Sequence, residues 1–181
     1  MLPAPLFDET ARETLRQAAA ALDAAEAGGQ AHAISRALAD VAACYRGLKA
    51  MASAESYYET ALRWARGAGS SDEVVDLLCD LCETAVGLAE AQGAHLPGSG
   101  RAARERARDH AFEASALAGR VADPGWEATV LLRISDVLDR CGDRDDATKL
   151  QLRALELMSG SLRPRQPDHD RPPALGRLAD A

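Results

Sequence analysis

The chain has 181 residues, of which 47% are hydrophobic and only 4% are aromatic. This length suits one domain or one short repeat array. A core with so few aromatic rings must consist mainly of Ala, Leu and Val, whose small side chains suit helices packed on helices. The net charge of −7 disfavours nucleic acids and anionic membranes as partners, because proteins that bind either usually present a basic face.

No segment of the sequence has the pattern of a membrane span or an export signal. No apolar run approaches the ~20 residues that a membrane-spanning helix needs, and the N-terminal stretch MLPAPLFDET lacks a basic region followed by an apolar one. Four cysteines are too few and too scattered for a disulfide framework in a chain of this length. We therefore expect a cytoplasmic protein.

Seven segments show apolar residues at the spacings of three and four that are typical of amphipathic helices. In chain order, we predict helices over residues 8–27, 31–49, 52–66, 70–92 and 101–118, then from Asp123 to the turn at Cys141–Asp143, and from that turn to Met158.

Several residues mark the predicted helix ends. Ser70 and Glu73 have the spacing of a capping box at the start of the fourth helix, and Gly93 is expected to end that helix. Asp123 followed by Pro124 is a strong start signal for the sixth helix, with Asp as N-cap and Pro in the first turn. From residue 160 onward the chain is rich in proline and arginine, which predicts a flexible tail.

Two stretches of the chain share one pattern of spacing without a gap, at an offset of 93 residues (131 − 38). We infer an internal repeat. The matched positions are Leu38, Val41, Ala42, Tyr45, Ala54, Tyr58 and Ala61 in the first stretch, and Leu131, Ile134, Ser135, Leu138, Ala147, Gln151 and Ala154 in the second.

This spacing resembles the tetratricopeptide repeat (TPR), in which two antiparallel helices form each unit. Residues 54–62 resemble the second helix of a unit, and residues 141–155 resemble the turn and second helix of another. A middle unit with a longer loop is weaker. The resemblance implies an all-α fold of antiparallel helix pairs stacked as a short α-solenoid, with residues 1–30 as an N-terminal capping helix, 31–159 as the repeats and 160–181 as the tail. A plain helical bundle without a groove is the alternative.

In the TPR family, ligands usually lie along the first helices of successive units. Transferring those positions to this sequence predicts a ligand or peptide groove formed by Arg36, Asp40, Arg46, Glu73, Asp76, Leu77, Asp80, Leu132, Arg133, Asp136 and Arg140. Leu77 and Leu132 are the predicted apolar anchors. The fourth segment carries a run of acids with no base between them, Glu73, Asp76, Asp80 and Glu83. This run predicts a basic partner if it lines a concave surface; an ordinary solvated helix face is the alternative.

The remaining polar and thiol groups give no catalytic or metal-binding pattern. Cys79 and Cys82 form a CxxC, but they lie inside a predicted helix rather than at its N-terminus, so we predict that they pack in the core. The four histidines form no HExxH motif or catalytic triad. We predict no enzyme activity and no cofactor.

These observations predict a non-catalytic scaffold that binds a protein or peptide in its groove. The alternatives are a self-associating structural protein, for example a homodimer, and a regulatory or sensor domain of a signalling system. An enzyme or metal protein that uses the cysteines is a further alternative. The basic tail, residues 163–177, could also fold back onto the acidic face and compete with a ligand.

Overall fold

The computed structural model of the chain describes residues 7–95 and 98–161. Within these ranges the chain forms seven α-helices and no strands, as the sequence predicts. The helices are α1 (Phe7–Gly28), α2 (Ala31–Gly47), α3 (Met51–Ala68), α4 (Ser71–His95), α5 (Arg101–Ala118), α6 (Pro124–Cys141) and α7 (Arg144–Ser161).

Most helix ends follow local signals in the sequence. The side chain of Asp123 accepts hydrogen bonds from the backbone N–H groups of Gly125 and Trp126, both at 3.0 Å, which confirms it as the N-cap of α6. Gly69 and Gly142 end α3 and α6 in the left-handed conformation, which glycine adopts without a steric penalty.

One predicted cap and two predicted boundaries are wrong. The carboxylate of Glu73 contacts His32 through one oxygen while its other oxygen has no hydrogen-bond partner, so no capping box with Ser70 forms. Gly93 does not end α4, which continues to His95, because a glycine within a helix weakens it without forcing it to stop. Gly160 lies within α7; the remainder of the predicted tail, residues 162–181, lies outside the described residues.

The helices stack as antiparallel pairs in a short solenoid. The pairs are α2–α3, α4–α5 and α6–α7, and α1 packs against α2 at the N-terminal end. Successive pairs are joined by contacts of α3 with α4 and of α5 with α6, and α4 also contacts α6. The predicted stacking of antiparallel helix pairs is therefore confirmed.

Alanine makes the closest helix approaches possible. All five buried residues of α5 are alanines, and a continuous core extends from α2 to the start of α7. At the start of α5, a Cβ on Gly100 would collide with the backbone carbonyl of Ala89 in α4, so glycine allows these two helices to approach at that point.

The two stretches of the internal repeat form the first and last helix pairs. Ala54 and Ala147 are buried at matched positions, as are Ala61 and Ala154. The exception is instructive: Tyr58 is fully buried, whereas its counterpart Gln151 is exposed. Tyr58 lies under a following helix pair, and within the described part of the chain no helix pair follows α7.

None of the helices in the described ranges is both long enough and apolar enough to span a membrane.

Candidate functional site on α2, α4 and α6

The first helices of the three pairs, α2, α4 and α6, are linked by a cluster of charged side chains. Arg46 of α2 donates from Nη1 to Asp80 at 3.2 Å and to Glu83 at 3.0 Å, both on α4. Arg133 of α6 reaches the same two acids, with Nε 2.9 Å from Glu83 and Nη2 3.1 Å from Asp80. Two arginines and two acids thus form a charge-balanced cluster, which we call the central cluster.

The surroundings of the central cluster hold its side chains in place. The guanidinium of Arg46 lies over the ring of Tyr58, 5.6 Å from its centroid, a cation–π arrangement. Burial, with a further contribution from Asp80, raises the pKa of the Tyr58 hydroxyl to about 12. Burial by itself lowers the pKa of the Arg133 guanidinium. Glu83 and other nearby groups have the larger opposite effect, so the pKa of this guanidinium is raised overall. The tyrosine is therefore neutral and the arginine charged at neutral pH.

Further ion pairs extend the surface on both sides of the central cluster. Nδ1 of His32 in α2 lies 2.6 Å from Oε2 of Glu73 in α4. Arg140 of α6 donates two hydrogen bonds to Glu90 of α4, at 3.0 and 2.9 Å, and lies 3.6 Å from Asp136 on its own helix. These pairs link α2 to α4 and α4 to α6.

The predicted acidic run does lie on the surface that α2, α4 and α6 share, but its charge is largely neutralised. Glu73, Asp80 and Glu83 each contact a basic or ionisable residue of a neighbouring helix. Asp76 has no ion-pair partner among the described residues. Burial raises the pKa of its carboxyl group, and Arg133 opposes that change. Asp80 and Glu83 are therefore neutralised by arginines, and Asp76 is left as the acid of the run without an ion-pair partner in the described ranges.

The other predicted groove residues differ in their exposure to solvent. Arg36 and Asp40 are exposed on α2, and neither has an ion-pair partner in the described ranges. Leu132 is exposed on α6. Leu77, in contrast, is 3% exposed and belongs to the core, so its predicted role as an accessible anchor is wrong. Leu77 follows Asp76 directly, and a step of one residue turns about 100° around a helix.

The two cysteines of the CxxC are core residues, as predicted. Cys79 and Cys82 are buried in α4, and Sγ of Cys82 donates to the carbonyl of Cys79 at 3.1 Å. Burial raises the pKa of Cys79 to about 12 and raises that of Cys82 as well. Both sulfurs are therefore protonated thiols, a poor form for nucleophilic chemistry. Among the described residues, no three His, Cys, Asp or Glu side chains lie together so that they could hold one metal ion.

Two further surfaces were not predicted from the sequence. The first, which we call the C-terminal face, is apolar and lies on α6 and α7. Its members are Leu132, Leu152, Leu155 and Met158, which are 42%, 56%, 56% and 47% exposed. Of the seven large apolar side chains that are exposed in the described part of the chain, these are four.

The second surface is a groove of about 420 Å³ at the opposite end, which we call the N-terminal groove. It lies between α1 and the α2–α3 pair, where the rings of Tyr45 and Tyr57 stack with centroids 5.3 Å apart. The groove is lined by Arg12, Leu15, Arg16, Ala19, Leu22, Asp23, Val41, Tyr45 and Tyr57. The sequence periodicity of α1 predicts an apolar stripe on this helix. The space beside that stripe depends on how α1 packs against α2 and α3.

Comparison with known proteins gives the fold alone. No protein-family model matches the chain, and no curated protein matches it significantly. The crystal structure of BtubC (BKLC) from P. vanneervenii has a similar fold, with a TM-score of 0.67 at 15% identity. That match covers 96% of this chain but 65% of the BtubC chain, so the chain spans about two thirds of BtubC. A chain of the structure described as "DHF58 filament" matches with a TM-score of 0.50 at 23% identity, covering 84% of this chain and 81% of the other.

Proposed function

We propose that this protein is a non-catalytic, cytoplasmic scaffold of the TPR-like type, which binds another protein or a peptide on the surface formed by α2, α4 and α6. The observation that carries the proposal is the central cluster. It joins residues 34 to 53 positions apart in the chain into one balanced group. Side chains that are bound by partners on neighbouring helices form a preorganised surface, which lowers the entropic cost of binding.

The exposed charges around the central cluster favour a partner segment with basic residues. Asp40, Asp76 and Asp136 contribute one exposed carboxylate from each of the three helices. Leu132 offers an exposed apolar contact beside them. Because the central cluster is already neutral, these outer acids rather than Asp80 would set the preference for positive charge.

A matched pair of variants tests this proposal. The triple variant Asp40→Asn, Asp76→Asn, Asp136→Asn removes three outer charges without removing any central-cluster contact. The control Glu9→Gln, Glu26→Gln, Asp109→Asn removes three exposed charges from α1 and α5. Affinity capture from the native cell, followed by mass spectrometry, should recover a partner with the control. Recovery of that partner with the triple variant should be at least about tenfold lower. Equal recovery with both variants would contradict the proposal.

A second candidate function, self-association as a structural protein, is favoured by the C-terminal face. Four large apolar side chains are exposed on the adjacent helices α6 and α7, and exposed apolar patches mark interaction surfaces on soluble proteins. The similar fold of a chain in a structure described as a filament supports the same candidate, because that chain belongs to a helical assembly. Light scattering across a range of protein concentrations separates an assembling protein from a monomeric scaffold.

A further inference from the structure

In the first helix pair, most positions equivalent to the C-terminal face are covered by neighbouring helices. Moving back 93 residues from Leu132, Leu155 and Met158 leads to positions on α2 and α3 that pack into the core or against it. Those positions are Ala39, Leu62 and Ala65. The fourth member, Leu152, corresponds to Glu59, which is exposed, so three of the four members match covered positions.

The side of α2–α3 that holds these residues faces the next helix pair. Leu62 lies seven residues after Glu55, whose carboxylate accepts two hydrogen bonds from Arg106 of α5, at 2.9 and 3.1 Å. Ala39 lies seven residues before Arg46, which reaches Asp80 of α4. Residues seven apart share one face of a helix. The C-terminal face of α6–α7 therefore corresponds to the side by which a helix pair stacks on its successor.

The opposite end of the stack is only partly covered. Each internal helix pair packs against a complete preceding pair, whereas within residues 7–95 and 98–161 the pair α2–α3 is preceded by the single helix α1. The N-terminal groove is the space that this single helix leaves, and the apolar side chains of Leu15, Leu22 and Val41 lie in it with the stacked Tyr45 and Tyr57. The molecule thus exposes the apolar C-terminal face at one end and the apolar and aromatic N-terminal groove at the other.

Charged side chains of both signs border the two surfaces. Beside Leu132, Asp136 and Asp139 lie 3.6 and 3.7 Å from Arg140 and Arg144 of the same chain. Arg12, Arg16 and Asp23 line the N-terminal groove, and Arg16 pairs with Glu13. The match between the two surfaces therefore rests on their apolar side chains rather than on charge.

We infer that the C-terminal face of one copy of this chain packs into the N-terminal groove of a second copy. This inference rests on the self-association proposed above and specifies its geometry. The contact joins different surfaces on the two copies and leaves one of each free, so it repeats from copy to copy. Such a heterologous contact gives open chains whose length rises with concentration, unless the rotation closes a ring.

Sedimentation velocity with three single variants of the full chain tests the geometry. Leu155→Glu places a charge on the C-terminal face, and Ala19→Glu places one in the N-terminal groove. The control Phe112→Glu changes an exposed apolar residue of α5 that lies on neither surface. Circular dichroism checks that each variant remains helical. We expect the wild type and the control to sediment faster as concentration rises, while each end variant associates at least about tenfold more weakly.

Mixing the two end variants distinguishes head-to-tail contacts from symmetric ones. Each variant retains the surface that the other lacks, so a mixture of Leu155→Glu and Ala19→Glu should form a complex of one copy of each and no larger species. If Ala19→Glu still associates like the wild type, or if the mixture stays monomeric while the wild type associates, the inferred contact is wrong and self-association survives. If the wild type stays monomeric at all concentrations, both the inferred contact and self-association are wrong. The proposed binding surface on α2, α4 and α6 is tested separately by the charge variants described above.

Discussion

Replacing Arg133 with methionine removes one of the two arginines of the central cluster while keeping a side chain of similar length. The guanidinium donates to Glu83 at 2.9 Å and to Asp80 at 3.1 Å. After the change, Arg46 alone faces two carboxylates, so the cluster carries a net negative charge. The variant therefore loses two charged hydrogen bonds and gains repulsion between acids.

The expected cost follows from how much water reaches the group. Side-chain exposure is 34% for Arg133, 25% for Asp80 and 30% for Glu83. Fully exposed pairs contribute about 0.2–1 kcal/mol, and breaking a buried pair costs about 3–5 kcal/mol. Partial exposure places Arg133→Met between these limits, at roughly 1–2 kcal/mol after allowance for solvent screening. At about 2–4 °C for each kcal/mol in a chain of this size, the melting temperature should fall by roughly 2–8 °C.

Urea unfolding followed by circular dichroism measures this cost. The matched control is Arg153→Met, because Arg153 is more exposed and its acidic neighbours lie at 3.5 and 3.8 Å; it should cost less than about 0.5 kcal/mol. A double-mutant cycle of Arg133→Met with Glu83→Gln should show coupling between the two positions. If Arg133→Met costs no more than the control, or if the cycle shows no coupling, the central cluster does not hold α4 and α6 together.

Three further predictions concern packing, pH and capping. Ala111→Leu, at a fully buried position of α5, should lower the free energy of unfolding by about 1–3 kcal/mol through overpacking, whereas Ala116→Leu on the exposed side of the same helix should change it little; equal effects in thermal unfolding would contradict the close packing. Burial lowers the pKa of His110 below its usual 6.5, although nearby acids oppose that change. The unfolded chain therefore binds the proton more readily, and this contribution to stability should be present above about pH 6.5 and lost as the pH falls below it; His110→Gln should reduce the slope of stability against pH between 5 and 7, and an unchanged slope would exclude His110 as its source. Asp123→Ala removes the acceptor for two backbone N–H groups and should cost about 1 kcal/mol in urea unfolding; no loss would mean that water replaces the cap.

Features that depend on neighbouring residues were predictable from the chain alone. Helical periodicity reflects which side chains share a face within a few turns, so the number and order of helices followed from it. Asp123 and Pro124 act on the backbone next to them, so the start of α6 was also clear. The burial of Cys79 and Cys82 followed from their place within an apolar helix.

The candidate site was only partly predictable, because its partners are distant in sequence. That Asp80 and Glu83 lie on the surface of α4 follows from helix geometry, but their pairing with Arg46 and Arg133 depends on the docking of three helices. The weak middle repeat gave no reliable register, and an error of one residue was enough to exchange Leu77 in the core for a surface position.

For this protein, the order of its amino acids by itself determined an all-α chain of stacked helix pairs, because amphipathic spacing and helix caps are short-range properties. The tertiary structure decided which charges are neutralised and which apolar side chains are left uncovered. Whether Leu155 is buried like its counterpart Leu62 depends on whether another helix pair follows it in space. No local rule contains that information, since burial is a property of what packs against a residue rather than of the residue itself.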